Sequence, residues 1–315
     1  PLTRPTSSES PKPDGPTVRG EAPAHVWAIV VQVRLPRMLL GLATGTALAG
    51  AGVLMQAVFR NPLAEPGLVG VSSGAALGAA TAIVLGHGPF GGFGLGPMSI
   101  PIAAAVGAGA TTAVVLQIGR RAGATSTATL LLAGLAITSL ANAGLGLLLN
   151  LASDAQLRSL TFWMLGSLDG QSLSRVGVGA ILMIAPILLA VRWSSALDAL
   201  LLGEAEALHL GVPVERLKRR ALAAAALATG ASVALAGVIG FVGLLVPHLV
   251  RLRGGPSHAL LFPRALLLGP CLVLAADLGA RTALAPRELP IGVLTGLLGA
   301  PFFLVLLRRH GGEAL

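Results

Sequence analysis

Ser72 and Ser73 in GVSSGAALGA and His248 in VPHLVR are the residues whose chemistry could include a nucleophile and a base. They stand without GxSxG, HExxH or a paired-carboxylate arrangement, so no nucleophile, base and orienter set is assembled. Two serines at a helix start read as packing or capping groups, and a histidine at a helix end as a satisfied one. Cys271 stands alone in an apolar run, which excludes an internal disulfide and a cysteine metal cluster. No other metal set is legible. GxxxxGK[ST] is absent, so the chain does not by itself bind nucleotide as a P-loop ATPase does.

Charge chemistry is concentrated instead in residues 201–220, LLGEAEALHLGVPVERLKRR, an island between long uncharged runs. Glu204, Glu206, Glu215, Arg216, Lys218, Arg219 and Arg220 lie there, seven of 35 Asp, Glu, Lys and Arg residues. The spacing suits a helix, a Gly turn and a second helix. Glu204 and Glu206 favour a helix start, Gly211 and Pro213 stop it, and residues 218–220 anchor the next span at the inner interface. The apolar set Leu202, Ala205, Leu208 and Leu210 is too large for an unpartnered loop.

The elements that position this island are membrane helices. The chain is 54% hydrophobic and 11% charged, against about 25% charged in a soluble domain. Its uncharged runs approach or exceed the ~20 residues of a bilayer span, and its Gly, Ala, Ser and Thr suit close helix contact in lipid. The pattern predicts an all-α polytopic membrane protein. Residues 1–25 read as a polar tail or loop, 25–33 as a short interfacial helix, and 310–315 as a C-terminal tail. Nine spans are predicted at 38–59, 67–86, 98–118, 128–150, 176–192, 221–236, 239–252, 265–284 and 289–307. Dividing 221–250 at its glycines keeps five groups of basic residues on one face, as the positive-inside rule requires. Otherwise the last three basic groups of the chain, at 251–264, 281–287 and 308–309, change sides. The same rule accounts for the net charge of +9, while scattered basic residues, few aromatics and no Tyr argue against nucleic acid. The island and the C-terminus fall inside. The N-terminal tail falls outside, which predicts a preceding span that this chain lacks.

Several tracts carry a resemblance: RLPRMLLGLATGTALAGAGVLMQAVFRNPLAEPGLVGVSSG at 34–74, LLLAGLAI at 130–137, LTFWMLGSLDG at 160–170, LLGEAEALHLGV at 201–212, ALAGVIGFVGLLVPHLVR at 234–251, AADLGAR at 275–281 and ELPIGVLTGLLGAPFFLVLL at 288–307. Over residues 26–309, in order, the chain resembles the permease subunits of the vitamin B12, ferric-siderophore and haem ABC importers. Their bundle has ten spans and cytoplasmic termini, and nine are visible here. In RNPLAEPG, Pro62 and Pro66 force a break, with Arg60, Asn61 and Glu65 available to the freed backbone groups. Pro247 is expected to kink or end its span.

The resemblance implies a permease that is not itself an enzyme: a homodimer binding two copies of an ABC ATPase, which uses ATP and Mg, and receiving cargo from a periplasmic substrate-binding protein. No cofactor is expected on this chain, and the setting is the bacterial inner membrane. Gly203, Glu204, Ala205, Glu206, Leu208, Leu210, Gly211 and Val212 become the ATPase coupling loop. Arg34, Arg37 and Arg281 become the docking arginines, with Asp277 an alternative internal partner for Arg281. Met55, Leu145, Phe162 and Met164 are candidates for the translocation pathway between two copies. Haem is the favoured cargo, and ferric siderophore and cobalamin are the alternatives. The chain departs from the family at GGPSHALLFP, 254–263, where similar permeases often carry Asp before the His. An ion-coupled secondary transporter is the competing class, but it needs ionisable residues at mid-membrane.

Overall fold

The computed structural model describes residues 24–86, 96–121 and 124–311. In chain order come helices α1 (Ala24–Ile29), α2 (Leu35–Phe59), α3 (Val71–Leu85) and α4 (Ser99–Ile118), then a two-strand turn, β1 (Arg120–Arg121) and β2 (Ala124–Thr125). Next are α5 (Thr127–Leu151), α6 (Asp154–Met164), α7 (Leu173–Val191), α8 (Ser194–Leu201) and α9 (Glu204–His209). The chain finishes with α10 (Val214–Ala236), α11 (Val242–Gly254), α12 (His258–Thr282) and α13 (Ile291–Gly311). A helix occupies each predicted span. Val26–Phe59, α4, α5, α7 and α12 are long and apolar enough to cross a membrane, and Val71–Leu85 and Ile291–Leu304 are shorter apolar helices. The expected tails fall largely on residues 1–23 and 312–315, outside the described residues.

Helix α2 is the axis of the bundle, packed by α7, α10, α11 and α12 and buried without interruption from Ala47 to Phe59. A helix buried on all sides cannot be amphipathic, and its small residues decide how close its neighbours come. A Cβ on Gly52 would lie 1.9 Å from the Gly243 carbonyl oxygen, and one on Gly45 would lie 2.5 Å from the Pro270 nitrogen. Both crossings are therefore backbone against backbone. At its N-terminal end α2 departs from expectation: residues 25–33 are not a separate interfacial helix, because α1 continues through a π turn at Val30–Arg34 into α2. Pro36 has no N–H to give to the preceding turn. The helix absorbs that by widening, as π turns do.

The division of 221–250 is present. Helix α10 ends at Ala236, Gly237 takes φ 70°, and α11 starts only at Val242. Non-helical backbone inside a membrane protein must find its hydrogen bonds in protein. Here the Ser167 amide donates to the Ala236 carbonyl at 2.9 Å, and the Gly292 amide to the Leu165 carbonyl at 3.0 Å. The second break comes after α2. Arg60 turns left-handed at φ 46°, Asn61 Oδ1 accepts from the Leu63 amide at 2.9 Å, and Pro66 opens a 3-10 turn. Of the three residues expected to serve this loop, only Asn61 bonds its backbone among the described residues.

Pro247 neither ends nor stops α11, which runs on to Gly254. Gly243 O is the carbonyl that a proline at 247 leaves without its helical donor. Gln56 Nε2 from α2 fills that role, donating to Gly243 O and Leu244 O at 3.4 Å each, and Arg251 Nη1 donates to Gln56 Oε1. The unforeseen element is α6, whose signal was the sequence SDAQ. Ser153 and Gln156 form a capping box, and Gln156 Nε2 also donates to the terminal carbonyls of Ile83 and Val84 in α3 at 3.2 Å.

Candidate functional site

Residues 194–220 form a helical hairpin at one end of the bundle. Helices α8 and α9 meet at Gly203, whose φ of 124° excludes side chains, and Gly211 at φ 81° reverses the chain into α10. Leu200, Ala207 and Val214 make a small core that holds the two turns together. That core leaves Leu202, Leu208 and Leu210 on the outside, the last two 60% and 65% exposed, with Ala205 and Glu206 beside them. An apolar cluster exposed on a charged hairpin is a surface suited to another protein.

Lys218 departs most sharply from expectation. It is not an interfacial anchor but has no exposed side-chain surface. Its Nζ donates to the Thr125 carbonyl and to Glu204 Oε1 at 2.9 Å, and lies 3.8 Å from Glu215 Oε1. Glu215 Oε2 in turn accepts from the Thr125 amide at 2.9 Å and from its hydroxyl at 2.6 Å. Burial would raise the Glu215 carboxyl, but the Thr125 bonds and the charges of Lys218 and Arg219 prevail and hold it below the usual carboxylate range. Glu204 is thus turned inward, while Arg219 and Arg220 remain exposed.

The loop before α12 is also tied to the hairpin. Asp198 Oδ1 of α8 accepts from the backbone amide and from Nδ1 of His258 at 2.7 Å each, and Oδ2 from the Ser257 hydroxyl at 3.1 Å. The chain lacks the Asp expected before this histidine, and α8 supplies a carboxylate in its place.

At the opposite end the three arginines expected to dock the binding protein divide. Arg34 is exposed and makes no ion pair among the described residues. Arg37 is spent internally: its side chain is only 12% exposed, Nη2 lies 2.9 Å from Asp277 Oδ1, and Nη1 lies 3.0 Å from Glu288 Oε2. Arg37, expected to dock the binding protein, is thus already paired within the chain, although Glu288 in that pair is half exposed. Arg281 Nε sits 3.4 Å from Asp277 Oδ2, one turn away, yet the side chain keeps over a third of its surface. A hollow of about 230 Å³ lies over this group and is edged by Phe162, which is 66% exposed.

The pathway candidates do not come together. Met55 is fully buried in the main core and shows no surface, so it lines no passage in this conformation. Leu145 and Met164 pack with Ala80, Ile83 and Leu160 in a satellite core, and Phe162 belongs to the outer hollow. A cavity of about 340 Å³ does lie where the two chain breaks meet, bordered by Glu65, Pro66, Ser72, Leu135, Thr138 and Phe241 among others. Thr229 also lines it with its buried hydroxyl unpartnered. Above Thr138, α5 exposes Ser139, Asn142 and Asn150 at helical spacing. Two Asn and a Ser barely alter the apolarity of a 25-residue helix, so they give little signal in the sequence.

Ser73 acts as a packing serine, its Oγ 3.2 Å from the Gly70 carbonyl and 3.3 Å from Thr138 Oγ1, with one proton to share between them. His248 is buried, with its ring against Phe302 at 5.5 Å between centroids. No cluster of three or more His, Cys, Asp or Glu able to hold a metal ion occurs among the described residues.

Known proteins resemble the chain over nearly its whole length. It is 43% identical over 298 residues to the hemin transport system permease protein HmuU of Yersinia pestis, covering 93% of this chain and 86% of that one. It is 43% identical over 296 residues to the vitamin B12 import system permease protein BtuC of Shigella sonnei, covering 94% and 86%. A solved metal-chelate type ABC transporter in an inward-facing conformation superposes with a TM-score of 0.79 at 32% identity, covering 93% of this chain and 91% of that one. The model of the FecCD transport family matches residues 14–309, and with these helices and these relatives the chain is a multi-pass membrane protein belonging to that family of transport permeases.

Proposed function

We propose that the chain is the permease of an ATP-driven importer whose cargo is haem, working as a homodimer in the bacterial inner membrane. Two copies of a separate ABC ATPase bind the α8–α9 hairpin on the cytoplasmic side, and a periplasmic binding protein delivers cargo to the face that carries Arg34, Phe162 and Arg281. ATP and Mg belong to the ATPase, and this chain holds no cofactor. Leu202, Leu208 and Leu210, exposed on a hairpin whose own core is complete, carry this reading, because such a surface needs a partner.

The polar groups of α5 support a passage between two copies. Asn142 makes no hydrogen bond among the described residues and would be poorly placed against lipid. Similarity to a hemin permease favours haem. Equal identity to a vitamin B12 permease keeps cobalamin as the second reading, with ferric siderophore carried in the same way.

Reconstitution in vesicles with the ATPase tests the proposal. Haem-loaded binding protein is expected to stimulate ATP hydrolysis and to deliver haem to the lumen. Stimulation by cobalamin or ferric siderophore alone would reassign the cargo. Uptake that persists after the ATP-cleaving residue of the ATPase is replaced would overturn the mechanism and favour an ion-coupled carrier.

A further inference from the structure

The geometry points to Lys218 as a positioning residue that fastens the coupling hairpin to the start of α5, so that movement of α9 reaches the wall of the cavity between the two chain breaks. This inference rests on the reading of α9 as the ATPase-contacting element.

A lysine ammonium has three protons to donate, and three acceptors surround Lys218, one from each of three elements. They are Glu204 of α9, Glu215 of α10 and the Thr125 carbonyl of β2. Thr125 is held from its other side as well, since its amide and hydroxyl both donate to Glu215. The contacts are short, with the lysine wholly buried and both carboxylates about a third exposed.

Its position matters because Thr125 leads directly into α5. Ser126 caps that helix through the Thr129 amide, and α5 then contributes Leu131, Leu135 and Thr138 to the cavity. Helix α5 packs chiefly on α3, α4 and the Pro66–Val69 turn rather than on α10. The Lys218 cluster is therefore the built attachment between α5 and the α9–α10 corner. A buried ammonium with two carboxylates resists partial separation, because any donor pulled away from its acceptor remains out of water. Such a joint holds or fails as a unit, as a force-bearing contact must.

The test measures the joint directly. Cysteines are placed at Ala128 and His209, both exposed, in a Cys271→Ser background, and each is spin-labelled. Labelled protomers are diluted into unlabelled ones in vesicles with the ATPase and the binding protein. In the otherwise unaltered protein, the distance between the two labels is expected to stay the same with and without trapped ATP. In Lys218→Met the distance shifts with ATP and its distribution broadens, while the ATPase still co-purifies and cargo carried per ATP hydrolysed falls by at least about fivefold.

A label separation that already changes with ATP in the unaltered joint, or a Lys218→Met protein with both unchanged distance and unchanged yield, overturns the inference. If Lys218→Met fails to assemble, Glu204→Gln, which weakens only the α9 arm, decides by the same two measurements. Failure of the underlying reading has a different signature. The label at His209 would then keep its mobility when the ATPase is added, whatever the distance to Ala128 does.

Discussion

Gln56 of α2 stands in for the amide that Pro247 lacks, donating to the Gly243 carbonyl from a neighbouring helix. A proline in the sixth position of a helix would ordinarily end or bend it. Here a side chain from the most buried helix completes the ladder, and α11 continues to its basic end at Arg251 and Arg253.

That substitution of donors yields the first prediction. Gln56→Met should destabilise the bundle by about 1–3 kcal/mol, the range for orphaning a buried polar group. Pro247→Ala restores an N–H for Gly243, so the double variant should be less damaged than the two single losses added together. A double-mutant cycle on unfolding in detergent measures this, and strict additivity would refute it.

Replacing Leu208 and Leu210 by Asp should detach or uncouple the ATPase without unfolding the permease. Both side chains are exposed and neither belongs to the hairpin's own core. The variant should keep its unfolding temperature and lose ATPase co-purification. Normal co-purification together with normal transport would sink the assignment.

At the outer face, charge reversal should separate free arginines from spent ones. Arg34→Glu and Arg281→Glu are expected to slow association with the binding protein, and the difference from the unaltered protein should shrink at high salt, as for any steering charge. Arg37→Ala should instead lower stability, because it leaves the buried Asp277 with a weaker partner. Stopped-flow association and thermal unfolding, run side by side, distinguish the two classes.

Glu215 predicts a pH dependence at the coupling corner. Its carboxyl titrates below the usual value in the folded chain, so its stabilisation is complete above about pH 4.3 and disappears as pH falls through the lower, folded-state value. Glu215→Gln should therefore be less stable than the parent at neutral pH and approach it in acid. Parallel unfolding temperatures across the whole range would contradict this.

The positions of the helices, the break between α10 and α11 and the exposed charged hairpin were legible in the residues themselves. Length of an apolar run, a glycine-rich interruption and a cluster of charges are local properties that need no knowledge of neighbours. The capping box at Ser153 was equally local, and α6 was missed only because its signal was passed over.

Burial and pairing were decided elsewhere in the chain. Arg37 meets Asp277 across 240 positions and Lys218 meets Thr125 across 93, and no periodicity in either segment announces its partner. Met55 is a pathway candidate by sequence and is enclosed in the fold, because this part of α2 is packed by α7, α10, α11 and α12. Where the apolar helices and the charged hairpin lie along the chain could be read from the residues in order, since transfer free energy depends on composition. Which of those charges are available to partners emerges only on folding, since a charge is free or spent according to what the fold brings within hydrogen-bonding reach of it.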